Sequence, residues 1–126
     1  MASFCFASGG LFMQLLFFIA SDSDVIAPLL SKLMERDVHG ATVVPCEGML
    51  HALYDSSVEP PPLFGSLRHF LNPAHAQGKI VLLVLPDKKV ETVKDVIHEM
   101  IGPLDGPNKG VLFTLPIAYS EGVAED

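Results

Sequence analysis

This chain contains four short apolar segments, and an amphipathic segment follows the first and the third of them. That order constrains the fold more than any other feature. The apolar segments are rich in aliphatic, aromatic and β-branched side chains, as strands are. The strongest strand signal reads KIVLLVL. The four predicted strands are Gln14–Ala20, Ala41–Cys46, Lys79–Leu85 and Val111–Ile117.

The first amphipathic segment carries apolar residues at i, i+3, i+4 and i+7 from Ile26 to Leu33, which is the one-sided stripe of a helix. Because Pro28 is tolerated only in the first turn, this helix should begin near Val25–Ala27. Gly40 then supplies its C-terminal stop.

The second amphipathic segment follows the third strand directly. Pro86 and Asp87 predict its start, with Asp87 as the N-cap. Gly102 and Pro103 predict its end. Its buried stripe comprises Val90, Val93, Val96, Ile97, Met100 and Ile101.

The resulting order is strand, helix, strand, strand, helix, strand. This is the βαββαβ arrangement of an α+β, ferredoxin-like sandwich, in which two helices cover one face of a four-stranded antiparallel sheet. All four strands are nevertheless apolar on both sides. A monomer would expose an unusually large apolar patch, so we expect the chain to oligomerise through the open face of its sheet.

Composition narrows the possible classes of protein. A chain of 126 residues makes one domain, and a formal charge of −7 argues against a nucleic-acid backbone or an anionic membrane as the main partner. The two cysteines, Cys5 and Cys46, form no CxxC motif and indicate reduced thiols in a cytoplasmic protein.

The domain is expected to span residues 13–118, followed by an acidic tail at 119–126. Met13 looks like a natural chain start, which makes residues 1–12 an N-terminal extension. No basic residue occurs before Lys32, so the N-terminal apolar run lacks the basic region of a signal peptide.

A long loop, residues 48–78, separates the second and third strands. It holds three consecutive prolines and three of the five histidines. Loops longer than about 15 residues in a compact domain are usually functional or disordered. The rest of the chain is therefore interpreted as a scaffold that presents this loop.

Several segments resemble the P-II nitrogen-regulatory family over Met13–Ile117. VHGATVVPCEGML resembles the family's G-x-T-V-x-x-x-x-G, KIVLLVLPDKKVETVKDVI its third strand and second helix, and KGVLFTLPI its last strand. The resemblance implies a trimeric, non-catalytic sensor that binds a nucleotide, and often 2-oxoglutarate, between subunits. It also implies that the protruding loop presses on a target enzyme, transporter or regulator.

The sequence departs from that family where the ligand is usually held. Val111 stands where the family has a phosphate-binding lysine, with Lys109 as a nearby substitute, and the two arginines expected after the last strand are absent. Leu50, His51 and Ala52 replace the family's glycine, arginine and glutamine. The effector and the target protein stay unidentified, with an adenine nucleotide as one candidate effector.

The ligand-binding residues are predicted on two different grounds. Ser66 and Arg68 are included because a guanidinium and a hydroxyl beside exposed backbone N–H groups suit an anion. The more ordinary alternative is that the loop's aromatic residues dock it on the trimer and Arg68 pairs with a neighbouring carboxylate. The resemblance supplies the other members. The full set is Gly40, Thr42, Gly48, Ser66, Arg68, Lys109 and Gly110.

Two alternatives remain open. The first is a trimeric divalent-metal binder resembling the CutA copper-tolerance family, which has the same fold and a shorter loop. The second is an enzyme using loop histidines. His51, His69 and His75 lack the spacing of a metal site, and the chain has no G-x-S-x-G motif and no Walker loop, so we predict neither a metal site nor catalysis.

Overall fold

A computed structural model describes residues 13–49, 52–53, 78–106 and 109–123. A single turn of 3₁₀ helix at Ser23–Val25 leads into the first α-helix. The main elements are β1 (Met13–Ala20), α1 (Ile26–Glu35), β2 (Thr42–Cys46), β3 (Gly78–Pro86), α2 (Asp87–Ile101) and β4 (Val111–Ile117). The predicted βαββαβ order is confirmed.

The four strands form one antiparallel sheet in the order β2-β3-β1-β4. β1 and β3 occupy the centre, and among the described strands β2 and β4 are the two edges. This is the α+β ferredoxin-like architecture predicted from the sequence.

The core lies between one face of the sheet and the two helices. Alternate residues of β1 and β3 are buried, as expected for strands covered on one side. The helices contribute the stripes predicted from their periodicity. The core residues are Leu16, Phe18, Ala20, Ile26, Leu29, Leu33, Val38, Val81, Leu83, Leu85, Val90, Val93, Val96 and Ile97.

The opposite face of the sheet, here called the open face, is also apolar. No element within the described ranges covers it. Val111, Phe113 and Leu115 of β4 are 40–52% exposed there. By strand alternation and register, the other apolar residues of this face include Met13, Leu15, Phe17, Ile19, Val44, Ile80, Leu82, Val84 and Ile117.

The prolines of the sheet indicate which alternate residues of each strand form hydrogen bonds with which neighbouring strand. Pro45, Pro86 and Pro116 pair in register with Lys79, Met13 and Gln14, respectively. In an antiparallel ladder, residues alternate between bonding to the neighbouring strand and pointing away from it. One alternation places all three proline nitrogens outside these pairings, and we infer that the sheet adopts it because proline has no N–H to donate.

The stop of α1 differs from the sequence prediction. The helix ends at Glu35, and Asp37 takes the left-handed conformation with φ of 60°. Gly40 also has positive φ, at 85°, but it lies beyond the turn. An aspartate tolerates this conformation better than most residues. The Nζ of Lys89 donates to the Asp37 carbonyl oxygen at 2.6 Å, which holds the turn against α2.

The predicted N-cap of α2 is also wrong. Asp87 is the first residue of the helix, Pro86 is the N-cap, and no side chain of the described residues caps this end. The Asp87 carboxylate instead accepts a hydrogen bond of 2.6 Å from Nε2 of Gln14. A partner in β1 has therefore displaced the local capping interaction, while the carboxylate still lies in the first turn, where the helix dipole favours it.

Candidate functional site at one end of the sheet

The first part of the candidate site is the base of the long loop. Gly48 follows β2 closely, and its carbonyl accepts a bond of 2.9 Å from the Ala52 backbone N–H. This bond closes a helical turn that begins at Met49, whose side chain is 72% exposed. The loop therefore leaves the sheet through a turn that presents a large apolar side chain.

Most of the loop lies outside the described residues. This applies to residues 50, 51 and 54–77, and so to Ser66 and Arg68 of the predicted ligand-binding set. His51, His69 and His75 also lie outside. The anion-binding prediction for Ser66 and Arg68, and the prediction that these histidines form no metal site, both stay predictions.

The second part is the start of β4, where Gly110 has φ of 110°. A Cβ atom there would lie 2.8 Å from the Ile19 carbonyl oxygen and 3.1 Å from the Phe18 ring. Only glycine fits both the backbone conformation and this close approach. Gly110 therefore fixes where the preceding residue, Lys109, emerges at the end of the sheet.

Lys109 brings a positively charged side chain to the start of β4. Its Nζ lies 3.9 Å from the Asp105 carboxylate, and both side chains are well exposed. Exposed ion pairs contribute little, about 0–1 kcal/mol, so an incoming anion can replace Asp105 at small cost. Val111, the next residue but one, is 52% exposed on the open face and brings no charge.

The structure does not bring all predicted site residues together within one chain. Val111 pairs with Ile19, Ile19 with Ile80, and Ile80 with Val44, so these four residues form one row across the sheet. Gly48 and Gly110 both lie at the end of the sheet beyond this row, but on opposite edges. Three strand spacings separate those edges, about 14 Å. Gly40 precedes β2 and lies near the other end of that strand, where Thr42 begins it.

A feature that the sequence analysis missed is a groove of about 680 Å³ between α2 and β4, here called the edge groove. Its floor is the start of β4, and α2 forms its wall with charged and polar side chains that include Lys94 and His98. The full lining is Gln14, Val90, Glu91, Lys94, His98, Leu104, Gly110, Val111, Leu112, Phe113 and Thr114. The sequence signal was the polar run on α2, which alone predicts only a solvated helix face.

Two absences apply only to the described part of the chain. Its residues contain no group of three or more histidine, cysteine, aspartate or glutamate side chains placed to hold a metal ion. No helix within the same residues is both long and apolar enough to cross a membrane.

Comparison with known proteins finds similarity in structure and none in sequence. The sequence matches no protein-family model and no curated protein. Arabidopsis thaliana PII bound to citrate is similar in structure, with a TM-score of 0.57 and 19% identity over 84% of this chain and 78% of that chain.

Two further structures agree with this result. The B. subtilis GlnK complex with ATP has a TM-score of 0.52 and 14% identity, covering 85% of this chain and 83% of that one. A Pediococcus pentosaceus protein of unknown function has a TM-score of 0.52 and 10% identity, covering 88% and 96%. At these identities the likeness concerns the fold, and the chain has a divergent form of the fold found in PII proteins.

Proposed function

We propose that this chain is a P-II-like regulatory protein that binds a small anionic effector between the subunits of a trimer. It acts in the cytoplasm, without catalysis of its own, and regulates a partner protein of nitrogen or related metabolism through the loop of residues 48–78. The similar structures support an anionic effector, because the A. thaliana protein is bound to citrate and the B. subtilis protein to ATP.

The observation that carries the proposal is the placement of the two halves of the site. Gly48 and the Lys109–Gly110 corner lie at the same end of the sheet but on opposite edges, about 14 Å apart. One chain cannot close a small ligand between them. Two copies can, when the loop base of one lies beside the β4 start of the other.

The open face supports assembly. Its apolar side chains extend across all four strands, and Val44, Val111, Phe113 and Leu115 are each at least 38% exposed. Water contact with such a contiguous apolar surface is unfavourable by roughly 25 cal/mol per Å². Packing three open faces together removes this cost and brings sheet edges of different copies close to one another.

The effector chemistry follows from the groups at the site. Lys109 offers three N–H donors, and Arg68 of the loop is proposed to add a bidentate guanidinium, with Ser66 beside it. The positive charge available is modest, since the lysine of the P-II pattern is replaced by Val111. The proposal therefore specifies an anion, with carboxylate and phosphate compounds both to be tested.

A thermal-shift screen tests the ligand class. The full chain is heated with citrate, ATP, 2-oxoglutarate, bicarbonate and divalent metal ions in separate samples. A ligand at about 100 times its Kd stabilises the folded state by about 2.7 kcal/mol, which gives a clear rise in Tm. We expect at least one anion to raise the Tm, with Lys109→Ala reducing the shift.

Lys88→Ala is the matched control for that screen. It removes the same charge from an exposed position in the first turn of α2, so the anion shift should persist. A shift with divalent metals and with no anion would contradict the proposal and favour the CutA-like alternative.

A further inference from the structure

The end of the sheet that holds the proposed effector site carries more negative than positive charge. β1 and β2 end there, whereas β3 and β4 begin there. The described residues that adjoin these four strand ends include four carboxylates and two lysines. They are Asp22, Asp24, Glu47 and Asp105 against Lys79 and Lys109.

The loop of residues 48–78 does not reverse this balance. Its sequence contains two acidic residues, Asp55 and Glu59, and a single basic residue, Arg68. With its histidines neutral at pH 7, the loop as a whole adds one more negative charge than positive. An anion that binds at this end therefore meets few cations, and each of them has carboxylates nearby in the fold or in the sequence.

Lys109 shows this competition directly. Its Nζ lies 3.9 Å from the Asp105 carboxylate. Glu47 is exposed and directly precedes Gly48, so the loop base brings a second carboxylate with it to the start of β4. Charges in water influence one another within a Debye length, about 8 Å at physiological ionic strength. The ligand contact of Lys109 is thus made in the field of Asp105 and Glu47.

We propose that the effector carries its negative charge on one group, a single carboxylate or a single phosphate, and that the site discriminates against polyphosphates and polycarboxylates. This inference rests on the proposed function and names the class of effector for the same site. One anionic group binds the Lys109 ammonium and displaces Asp105. Every further anionic group lies closer to a carboxylate than to an unpaired cation.

The chemistry of an ammonium agrees with a single group. Lysine is a compact charge with three donors, which one carboxylate or one phosphate can satisfy. It lacks the paired, planar donors with which arginine holds extended phosphate chains. Two extra ligand charges repelled by two carboxylates at about 8 Å lower the affinity by about threefold after screening.

Titration calorimetry of the full chain with two ligand series tests the proposal. AMP, ADP and ATP keep one nucleoside and add phosphates, whereas butyrate, glutarate and tricarballylate keep one propane skeleton and add carboxylates. In each series that binds, we expect the affinity to fall along the series, with the last member about threefold weaker than the first or weaker still. The nucleotides are titrated in EDTA and again with Mg²⁺, and ATP that binds more tightly than AMP in either buffer overturns the inference.

Sodium chloride reveals the sign of the interaction. Raising the salt from about 0.05 M to about 0.5 M shortens the Debye length and so screens repulsion as well as attraction. In EDTA, the affinity for ATP relative to that for AMP should therefore rise towards equality. A ratio that falls or stays constant in salt would show that the added phosphates are not repelled, which overturns the inference.

A double variant measures the contribution of the two carboxylates. Asp105→Asn with Glu47→Gln should raise the affinity for ATP relative to AMP by about threefold. Glu35→Gln with Asp37→Asn is the matched control, because both residues are exposed and lie at the other end of the sheet, where the Asp37 carbonyl contacts Lys89 in the first turn of α2. The control should leave the ratio unchanged, and an equal rise in both double variants overturns the assignment to this site.

The outcomes separate this inference from the proposed function. A folded chain that binds no member of either series overturns both. Binding that stays equal or strengthens along a series overturns the inference alone and leaves an anion-binding regulator. Binding that weakens along each series, less so in salt and in the Asp105→Asn, Glu47→Gln variant, is the result expected.

Discussion

The rings of Phe17 and Phe113 lie nearly parallel across neighbouring strands, with centroids 4.8 Å apart and an angle of 10° between their planes. They are register partners in β1 and β4, on the open face of the sheet. Stacking contributes about 0.5–1.5 kcal/mol beyond the burial of area. The pair forms a flat aromatic surface that remains 40% exposed at Phe113 and is suited to contact another copy.

Replacing Phe113 should therefore weaken assembly. Phe113→Ser removes a large apolar side chain from each open face, at a cost of about 1.5–3 kcal/mol per buried phenylalanine. Sedimentation velocity at micromolar concentration should show a smaller species than the wild-type trimer. Tyr119→Ser removes an aromatic ring that is 74% exposed beyond β4, and it should leave the trimer unchanged. Equal sedimentation of Phe113→Ser and wild type would show that the open face is not the interface.

Leu15 and Leu16 are neighbours on β1 that face opposite sides of the sheet. Leu16 is fully buried under the helices, so Leu16→Ala should lower the free energy of unfolding by about 2–5 kcal/mol. Leu15→Ala should act through assembly instead, since Leu15 lies on the open face. Urea titrations at several protein concentrations separate the two effects.

The deciding quantity is how each change depends on protein concentration. The loss caused by Leu15→Ala should vary with concentration, because binding between subunits contributes to stability by mass action. The loss caused by Leu16→Ala should be present at all concentrations. A concentration-independent loss for both variants would argue that the open face is covered by the chain itself.

Gly110 should tolerate no side chain. Gly110→Ala places a methyl group 2.8 Å from the Ile19 carbonyl oxygen, at φ of 110°, and should lower the free energy of unfolding by more than about 1 kcal/mol. Gly48→Ala meets no atom of the described residues within 4 Å and has no positive φ, so its effect should stay within about 0.5 kcal/mol. Chemical denaturation measures both, and equal losses would contradict the assigned strain.

Arg68→Lys tests the proposed anion contact of the loop. A lysine keeps the charge but cannot present the paired donors of a guanidinium. Binding of the anion that raises the Tm should weaken by about 1–3 kcal/mol in calorimetric titration, without loss of the trimer. Arg36→Lys is the matched control, since Arg36 pairs with Glu99 at 3.4 Å on the helix layer. Unchanged binding by Arg68→Lys would remove this residue from the site.

The sequence predicted the fold closely where periodicity decides it. β4 spans the predicted Val111–Ile117, and α2 ends before Gly102 as its glycine and proline indicate. Its errors lie where a distant residue competes with a local signal. Asp87 looked like a cap, but Gln14, 73 residues earlier, takes its carboxylate. No local pattern contains such a partner.

The candidate site was less predictable for a related reason. Motif spacing identifies Gly48 and Gly110 but not the distance between them, which depends on strand order and register. The edge groove requires the same knowledge, because only the fold shows that α2 flanks the outer edge of β4. The contribution of Ser66 and Arg68 stays a sequence prediction, since both lie outside the described residues.

The central claim is that each effector site takes one half from each of two subunits, and mixing two defective variants tests it most directly. Lys109→Glu damages the β4 half, and Gly48→Glu damages the loop-base half. Each is expected to form trimers that do not bind the anion identified by the screen. Co-refolded in equal amounts, they should regain about one quarter of the wild-type binding capacity in calorimetric titration, because some junctions then combine two intact halves. Mixed trimers that bind no more anion than either variant alone would contradict a site shared between subunits.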